Sequence, residues 1–173
     1  MPATSTPARF EIRAIGPADR DALVRFYAGL SSEGREARFH GAAPTIAGAA
    51  AGFFCGPDHH RREGIVAEAI ARDGRREIIG HVSLEPAGPE TAEVAVVVAD
   101  AWQHHGVGRA LVRAAIEWAR RNGFAHLIAS MRTSNGAIAG LVRCVGVPVR
   151  FGPPDGGVID AVMDLEVGLP LAA

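Results

Sequence analysis

The chain has 173 residues, 48% of them hydrophobic and 21% charged, with mean hydropathy +0.12 and a net charge of −1. That length fits one domain with a buried core, and the composition excludes global disorder and the basic excess of a nucleic-acid binder. No apolar run approaches the ~20 residues of a membrane-spanning helix, and the N-terminal residues lack the charged-then-apolar layout of a secretory signal, so a soluble cytoplasmic protein is expected. All 18 basic residues are arginine, and Cys55 and Cys144, without CxxC spacing, read as free thiols.

Residues 1–8 read as a frayed tail and residues 9–167 as one domain. Phe10, Ile12 and Ala14 alternate with Glu11 and Arg13, the pattern of a half-buried strand. Gly16-Pro17 ends it and opens a helix whose stripe is Ala22, Leu23, Phe26, Tyr27 and Leu30. Ser31-Ser32 caps a second helix through Phe39, and a short helix is expected from Pro44 to Gly52. Gly64–Arg72 and Glu77–Leu84 flank Asp73-Gly74, a hairpin signal. Thr91–Ala99 is Val-rich and reads as a strand buried on both faces. These three strands predict an antiparallel meander.

Gly106–Asn122 is the clearest helix, with Val107, Leu111, Ala115, Trp118 and Ala119 on one face and Arg109, Arg113, Glu117 and Arg120 on the other. Gly123 follows as a left-handed C-cap. A strand at His126–Met131 and a helix capped by Ser134-Asn135 follow. The buried face of that helix is Ile138, Leu141, Val142 and Val145. Strands at Val147–Phe151 and Val158–Val167 finish the chain. The order β-α-α-β-β-β-α-β-α-β-β predicts a mixed α/β sheet.

The chemistry concentrates in Gln103-His104-His105-Gly106-Val107-Gly108-Arg109, between the Val-rich strand and the long helix. Two glycines two apart let backbone approach a ligand, and the first-turn N–H groups at the positive end of the helix dipole suit a pyrophosphate. A plain strand-to-helix turn is the alternative. The segment lacks the Gly-Lys-Ser/Thr of a Walker A loop and the third glycine of a dinucleotide fingerprint. The pairs His59-His60 and His104-His105 do not make a metal set, because adjacent side chains point apart and no further ligand stands at metal spacing.

Gln103-x-x-Gly106-x-Gly108, after a strand and opening a helix, resembles the signature of the GCN5-related N-acetyltransferases (GNAT). The Leu30-Ser31 to Arg38-Phe39 segment, the Ala92-Glu93 strand and the Asn135-initiated helix are most similar to bacterial protein-lysine acetyltransferase domains. The resemblance implies the GNAT fold, a mostly antiparallel sheet of six to seven strands flanked by helices. It implies acetyl-CoA as co-substrate, no metal, and a homodimer as a family habit. It implies a central strand splayed by a bulge, beside which the pantetheine arm pairs with the backbone of Val96, Val97 and Val98. A bulge of that kind leaves an N–H near Val97 or Val98 free to polarise the thioester carbonyl. His104, His105, Gly106, Val107, Gly108 and Arg109 would wrap the pyrophosphate with Gln103, and Asn135 would contact the cofactor arm or serve only as an N-cap.

An alkyl ammonium with pKa near ~10 loses a proton before its nitrogen attacks. Glu93, among Val94, Ala95 and Val96, is the expected base, since apolar surroundings strengthen a carboxylate in that role. Its alternative is a solvated strand-end carboxylate. The tyrosine that many members use as acid toward the thiolate is replaced by Val142, and Cys144 reads as a buried thiol. The family's usual Gly-Phe after this helix stands here as Gly146-Val147. The resemblance implies acetyl transfer to a primary amine, a protein lysine or a small molecule. A catalytically weak CoA-binding sensor is the remaining alternative. Arg38 and Arg61-Arg62 face either the acceptor or solvent.

Overall fold

Alternation at the N-terminus yields β1 (Arg9–Ala14), the edge of the sheet in a computed structural model that describes residues 9–39 and 48–166. Gly16 breaks the strand, and a 3-10 turn at Pro17–Asp19 leads into α1 (Arg20–Ala28). Asp19 fixes that entry, since its carboxylate accepts from the Gly16 N–H at 2.9 Å and pairs with Arg13 at 2.8 Å. The expected apolar stripe buries Leu23, Phe26, Tyr27 and Leu30. Next come α2 (Ser32–Phe39) and α3 (Gly48–Phe54). The tail at residues 1–8, the start of the predicted short helix at residues 44–47, and Val167 lie outside the described residues.

The meander is β2 (Glu63–Ile70), β3 (Arg76–Pro86) and β4 (Thr91–Val98), antiparallel throughout. Asp73-Gly74 makes the first turn, where the Gly74 N–H donates to Ala71 O at 2.9 Å. Then follow a 3-10 turn at Asp100–Trp102, α4 (Val107–Arg121), β5 (His126–Arg132), α5 (Gly136–Arg143), β6 (Val149–Phe151) and β7 (Val158–Asp164). The seven-stranded sheet runs β1-β2-β3-β4-β5-β7-β6, and only β4 and β5 are parallel neighbours.

The two faces carry separate apolar clusters. Leu111, Ala115, Trp118 and Ala119 of α4 pack on one face against Ile79, Val82, Leu84 and Val94. Leu23, Phe26 and Tyr27 pack on the other against Val66, Ile78 and Val97. Each fully buried Leu or Ile contributes about 1.5–3 kcal/mol relative to exposure, so the α4 stripe anchors that helix and the turn before it.

The strand register decides the site. β3 pairs with β4 without a shift from Gly80↔Val98 to Pro86↔Ala92, so the bulge expected in β4 is absent. The irregularity sits instead between β2 and β3, where Ala67 faces Gly80 and Glu68 faces Ile78, leaving Ile79 as the extra residue. The splay has another cause. β4 and β5 share only three rungs, Thr91↔His126, Ala92↔Leu127 and Glu93↔Ile128. Beyond Glu93, β4 stays laddered to β3 while β5 stays laddered to β7 as far as Arg132↔Val158. The sheet therefore divides into two halves at Glu93.

Candidate active site

Glu93 stands at the vertex of that division and is exposed. The apolar enclosure expected for it is not formed. Neighbours at i±1 on a strand point to the opposite face, so Val94 turns away, and the side chain shares its face with Glu85 on β3. Glu85 is held elsewhere, taking Arg62 Nε at 2.7 Å and Arg62 Nη2 at 3.3 Å. Glu93 lines a cavity of about 240 Å³ together with Arg38, Ser130, Met131, Asn135 and Ile138.

Parity along β4 sorts its backbone groups. The Ala99 N–H donates to Ile79 O at 2.8 Å, and an antiparallel ladder repeats hydrogen-bonded pairs every second residue. Val97/His81, Ala95/Ser83 and Glu93/Glu85 are the successive pairs in this phase. Val97 thus turns its N–H and C=O to β3, while Val96 and Val98 present theirs to the gap. Gln103 reaches back along that edge, with Nε2 donating to Val98 O at 3.3 Å.

The glycine turn lies at the far end of the gap. Gly106 has φ +83°, a left-handed conformation that L side chains adopt only with strain, and His104 has φ +62°. None of the N–H groups from His104 to Arg109 carries a hydrogen bond among the described residues, whereas the Ala110 N–H already bonds Gly106 O at 3.0 Å. These unpaired donors at a helix N-terminus form an anion cradle. A groove of about 770 Å³ runs past it, lined by Val96–Val98, Gln103, His104, Gly106, Gly108 and Arg109, and on the opposite wall by Asn135, Leu141 and Cys144.

The remaining sequence-predicted residues divide. Val107 buries its side chain in the core, and His105 folds back with Nδ1 2.6 Å from Gln103 O; neither lines the groove. Arg109 spans it, donating to Cys144 O at 2.9 Å. Asn135 is the N-cap of α5, accepting from the Ile138 N–H at 3.2 Å, and it also lines both cavities. Val142 is buried, so the position of the family's tyrosine holds no proton donor. Cys144, expected to be buried, is exposed because it caps the end of α5 beyond the helix's apolar stripe; Cys55 is the buried free thiol. Ile138 and Leu141, expected in the core, are half-buried and face the groove.

Sequence reasoning left Arg38 undecided and did not reach Ser130 or Met131. Period-two alternation in β5 was the available signal for Ser130. α2 is held over the end of β4 by Asp100, whose carboxylate takes the Ser31 hydroxyl at 2.8 Å and the Ser31 N–H at 3.1 Å. Those bonds keep the Asp100 carboxyl below its ordinary pKa.

Beneath the cavity, His81 is fully buried, with Nδ1 3.0 Å from the Tyr27 hydroxyl. Burial, with the Arg38 charge adding to it, pushes the imidazole pKa from 6.5 down to about 3. Unfolding restores ordinary basicity, so the unfolded chain binds the extra proton between those values, and stability falls as pH drops below about 6.5. From pH 6 to pH 5 this group alone removes about 1 kcal/mol, before most carboxylates titrate. Denaturant titrations at pH 7, 6 and 5 should show that loss, and His81→Gln should flatten the dependence. Equal slopes in the two proteins would exclude His81 as its source.

A sheet parted around an open strand edge, with unpaired amides at its end, offers a cleft for an extended ligand with an anionic head. The family profile described as Acetyltransferase (GNAT) family matches residues 41–147, and the chain belongs to that family. It is an N-acetyltransferase of the EC 2.3.1 class with acetyl-CoA as co-substrate. No curated protein matches it. Among solved structures, the GNAT domain of S. lividans PAT is similar at 26% identity and TM-score 0.78, over 88% of this chain and 89% of that one. A GCN5-related N-acetyltransferase from Kribbella flavida shares 25% identity at TM-score 0.64, over 89% and 95%. The fold also matches yncA from Salmonella typhimurium, a putative acetyltransferase solved with its cofactor acetyl-CoA, at 22% identity and TM-score 0.68 over 95% and 98%.

Among the described residues, no group of three or more His, Cys, Asp or Glu could hold a metal ion, and no helix is long and apolar enough to cross a membrane.

Proposed function

We propose that the protein transfers acetyl from acetyl-CoA to a primary amine by direct attack, with Glu93 as general base. The observation that carries this reading is the position of Glu93: an exposed carboxylate on the last rung before the strands part, in a cavity that shares Val96, Asn135 and Ile138 with the groove. The pyrophosphate lies on the N–H groups of the His104–Arg109 turn. The pantetheine amides pair with the open-edge backbone of Val96 and Val98 rather than Val97. An N–H from that edge polarises the thioester carbonyl.

Glu93, directly or through one water, takes a proton from the acceptor ammonium. The freed nitrogen bonds to the acetyl carbon, the tetrahedral intermediate gives up its second nitrogen proton to water, the C–S bond breaks, and the thiolate takes a proton from water, since Val142 offers none.

Likeness to the GNAT domain of S. lividans PAT, together with the sequence resemblance to protein-lysine acetyltransferase domains, supports a protein lysine as acceptor. A second reading, a small-molecule amine, is favoured by a charged residue in the Glu93 cavity, Arg38.

Acetyl-CoA at one hundred times its Kd should stabilise the native state by about 2.7 kcal/mol, a rise in Tm of roughly 5–10 °C for a chain of this size. Thermal melts with and without acetyl-CoA, followed by thiol release with lysine peptides and small amines, test this. An unchanged Tm at saturating acetyl-CoA would overturn the reading.

A further inference from the structure

The cavity that holds Glu93 has a second charged wall. Among the described residues lining it, Glu93 and Arg38 are the charged ones, one anion and one cation. Arg38 is not a loose surface side chain. Its Nη2 donates to Ser83 Oγ at 2.7 Å, and its guanidinium carbon lies 5.6 Å from the centre of the Phe54 ring. It also sits beside the Tyr27 hydroxyl, where its charge opposes the upward pKa shift that burial gives that phenol.

Ser83, Tyr27 and His81 are themselves buried, at 4%, 0% and 0% exposure. Polar side chains are costly in a core unless they are hydrogen-bonded, and these three, Ser83 bonded to Arg38 and Tyr27 to His81, form a polar shelf. Burial keeps His81 neutral at working pH and favours the neutral form of Tyr27. The charge on this shelf is therefore the guanidinium it supports.

The ladder sets the spacing. Ser83 faces Ala95 and Glu85 faces Glu93, so the arginine's anchor and the base lie on one face of β3–β4, two residues apart along the strand direction. Those backbone positions are offset by about 7 Å along the strand axis. A carboxylate and a guanidinium lining one small cavity complement a ligand carrying an ammonium and a carboxylate a few bonds apart. Guanidinium groups bind carboxylates through paired N–H donors, which fixes orientation as well as charge. The side chain of a peptide lysine would instead lay methylenes against Arg38.

We propose that Arg38 is a specificity-determining residue that receives the acceptor's carboxylate, so that the amine brought to Glu93 is the α-amine of a free amino acid. This rests on the reading of Glu93 as base and deepens it by naming the acceptor class. No further co-reactant is involved: the acetyl group passes from sulfur to the α-nitrogen, and the carboxylate is unchanged.

The test measures thiol release from acetyl-CoA by the full chain with each of the twenty free L-amino acids, the decarboxylated amine and the amide of each good acceptor, and a lysine peptide blocked at both ends. The expected result is a kcat/KM at least about 10²-fold higher for the amino acid than for its decarboxylated amine, the scale of one lost charge-assisted pair. Arg38→Gln should collapse that ratio to within about threefold through a rise in KM for the amino acid, and Arg38→Lys should restore part of it. A purely structural role would lower every acceptor alike and leave the ratio intact, which would overturn the proposal. Turnover of the lysine peptide or of the decarboxylated amines equal to or above that of every amino acid would also overturn it. If Glu93→Gln abolishes turnover while amines and amino acids react equally in the unmodified protein, the base stands and the acceptor class falls.

Discussion

Replacing Glu93 with glutamine is expected to lower kcat by about 10²–10⁴-fold, the usual worth of a positioned general base. The amide has nearly the size of the carboxylate and cannot take the proton. Glu93 is exposed on the face shared with Glu85, so the change removes no packing, and the effect on stability should stay within about 0.5 kcal/mol. Stabilisation by acetyl-CoA should persist, because the cradle and the open edge at Val96 and Val98 lie farther along the groove. The residual activity should climb as pH approaches the acceptor's own pKa, since free amine then forms without the enzyme's help. Glu85→Gln makes the comparison: that carboxylate faces Glu93 across the ladder but is engaged by Arg62, so its loss should cost far less activity. Rates for Glu93→Gln that match the unmodified protein across the pH range would remove Glu93 from the reaction.

The order of elements and the glycine turn were legible in the sequence because both are encoded locally. Apolar spacing wrote α4, the pair Gly106 and Gly108 marked its start, and Asp73-Gly74 closed the hairpin. What failed was set by distant pairing. The bulge expected in β4 depends on register, and register is fixed by β3, whose own irregularity at Ile79 is compensated on the β2 side. The environment of Glu93 was misread because sequence neighbours on a strand are not spatial neighbours; its surroundings come from Glu85 on β3 and from the loss of β5 beyond Ile128. Cys144 was misplaced because a residue just past the last turn of a helix leaves the buried stripe. Arg38 could not be assigned at all, since the hydroxyl that positions it is 45 residues away. Local signals thus gave the glycine-turn end of the groove, and non-local ones governed the surroundings of Glu93 and Arg38.

Gly108→Trp is expected to abolish the stabilisation by acetyl-CoA and to raise its KM by more than about 10²-fold, the equivalent of losing two or three charge-assisted hydrogen bonds. Gly108 sits in the first turn of α4, between the two walls of the groove. A Cβ placed there would already lie 3.3 Å from Leu141 Cδ2 and 3.6 Å from Val98 Cγ2. The rest of an indole has only the groove to enter, in front of the unpaired amides from His104 onward. The fold should survive, because tryptophan is an acceptable helix residue and the Val107 and Leu111 anchors of α4 are untouched. Gly108→Ala separates blockage from any subtler effect of losing glycine, since one methyl asks Leu141 to yield by only a few tenths of an ångström and should leave most of the affinity. Thermal melts of both variants with and without acetyl-CoA decide the matter. If the tryptophan variant melts normally alone and still rises by the full shift on adding acetyl-CoA, the nucleotide does not pass between Val98 and Leu141, and the placement of the pyrophosphate on this turn is wrong.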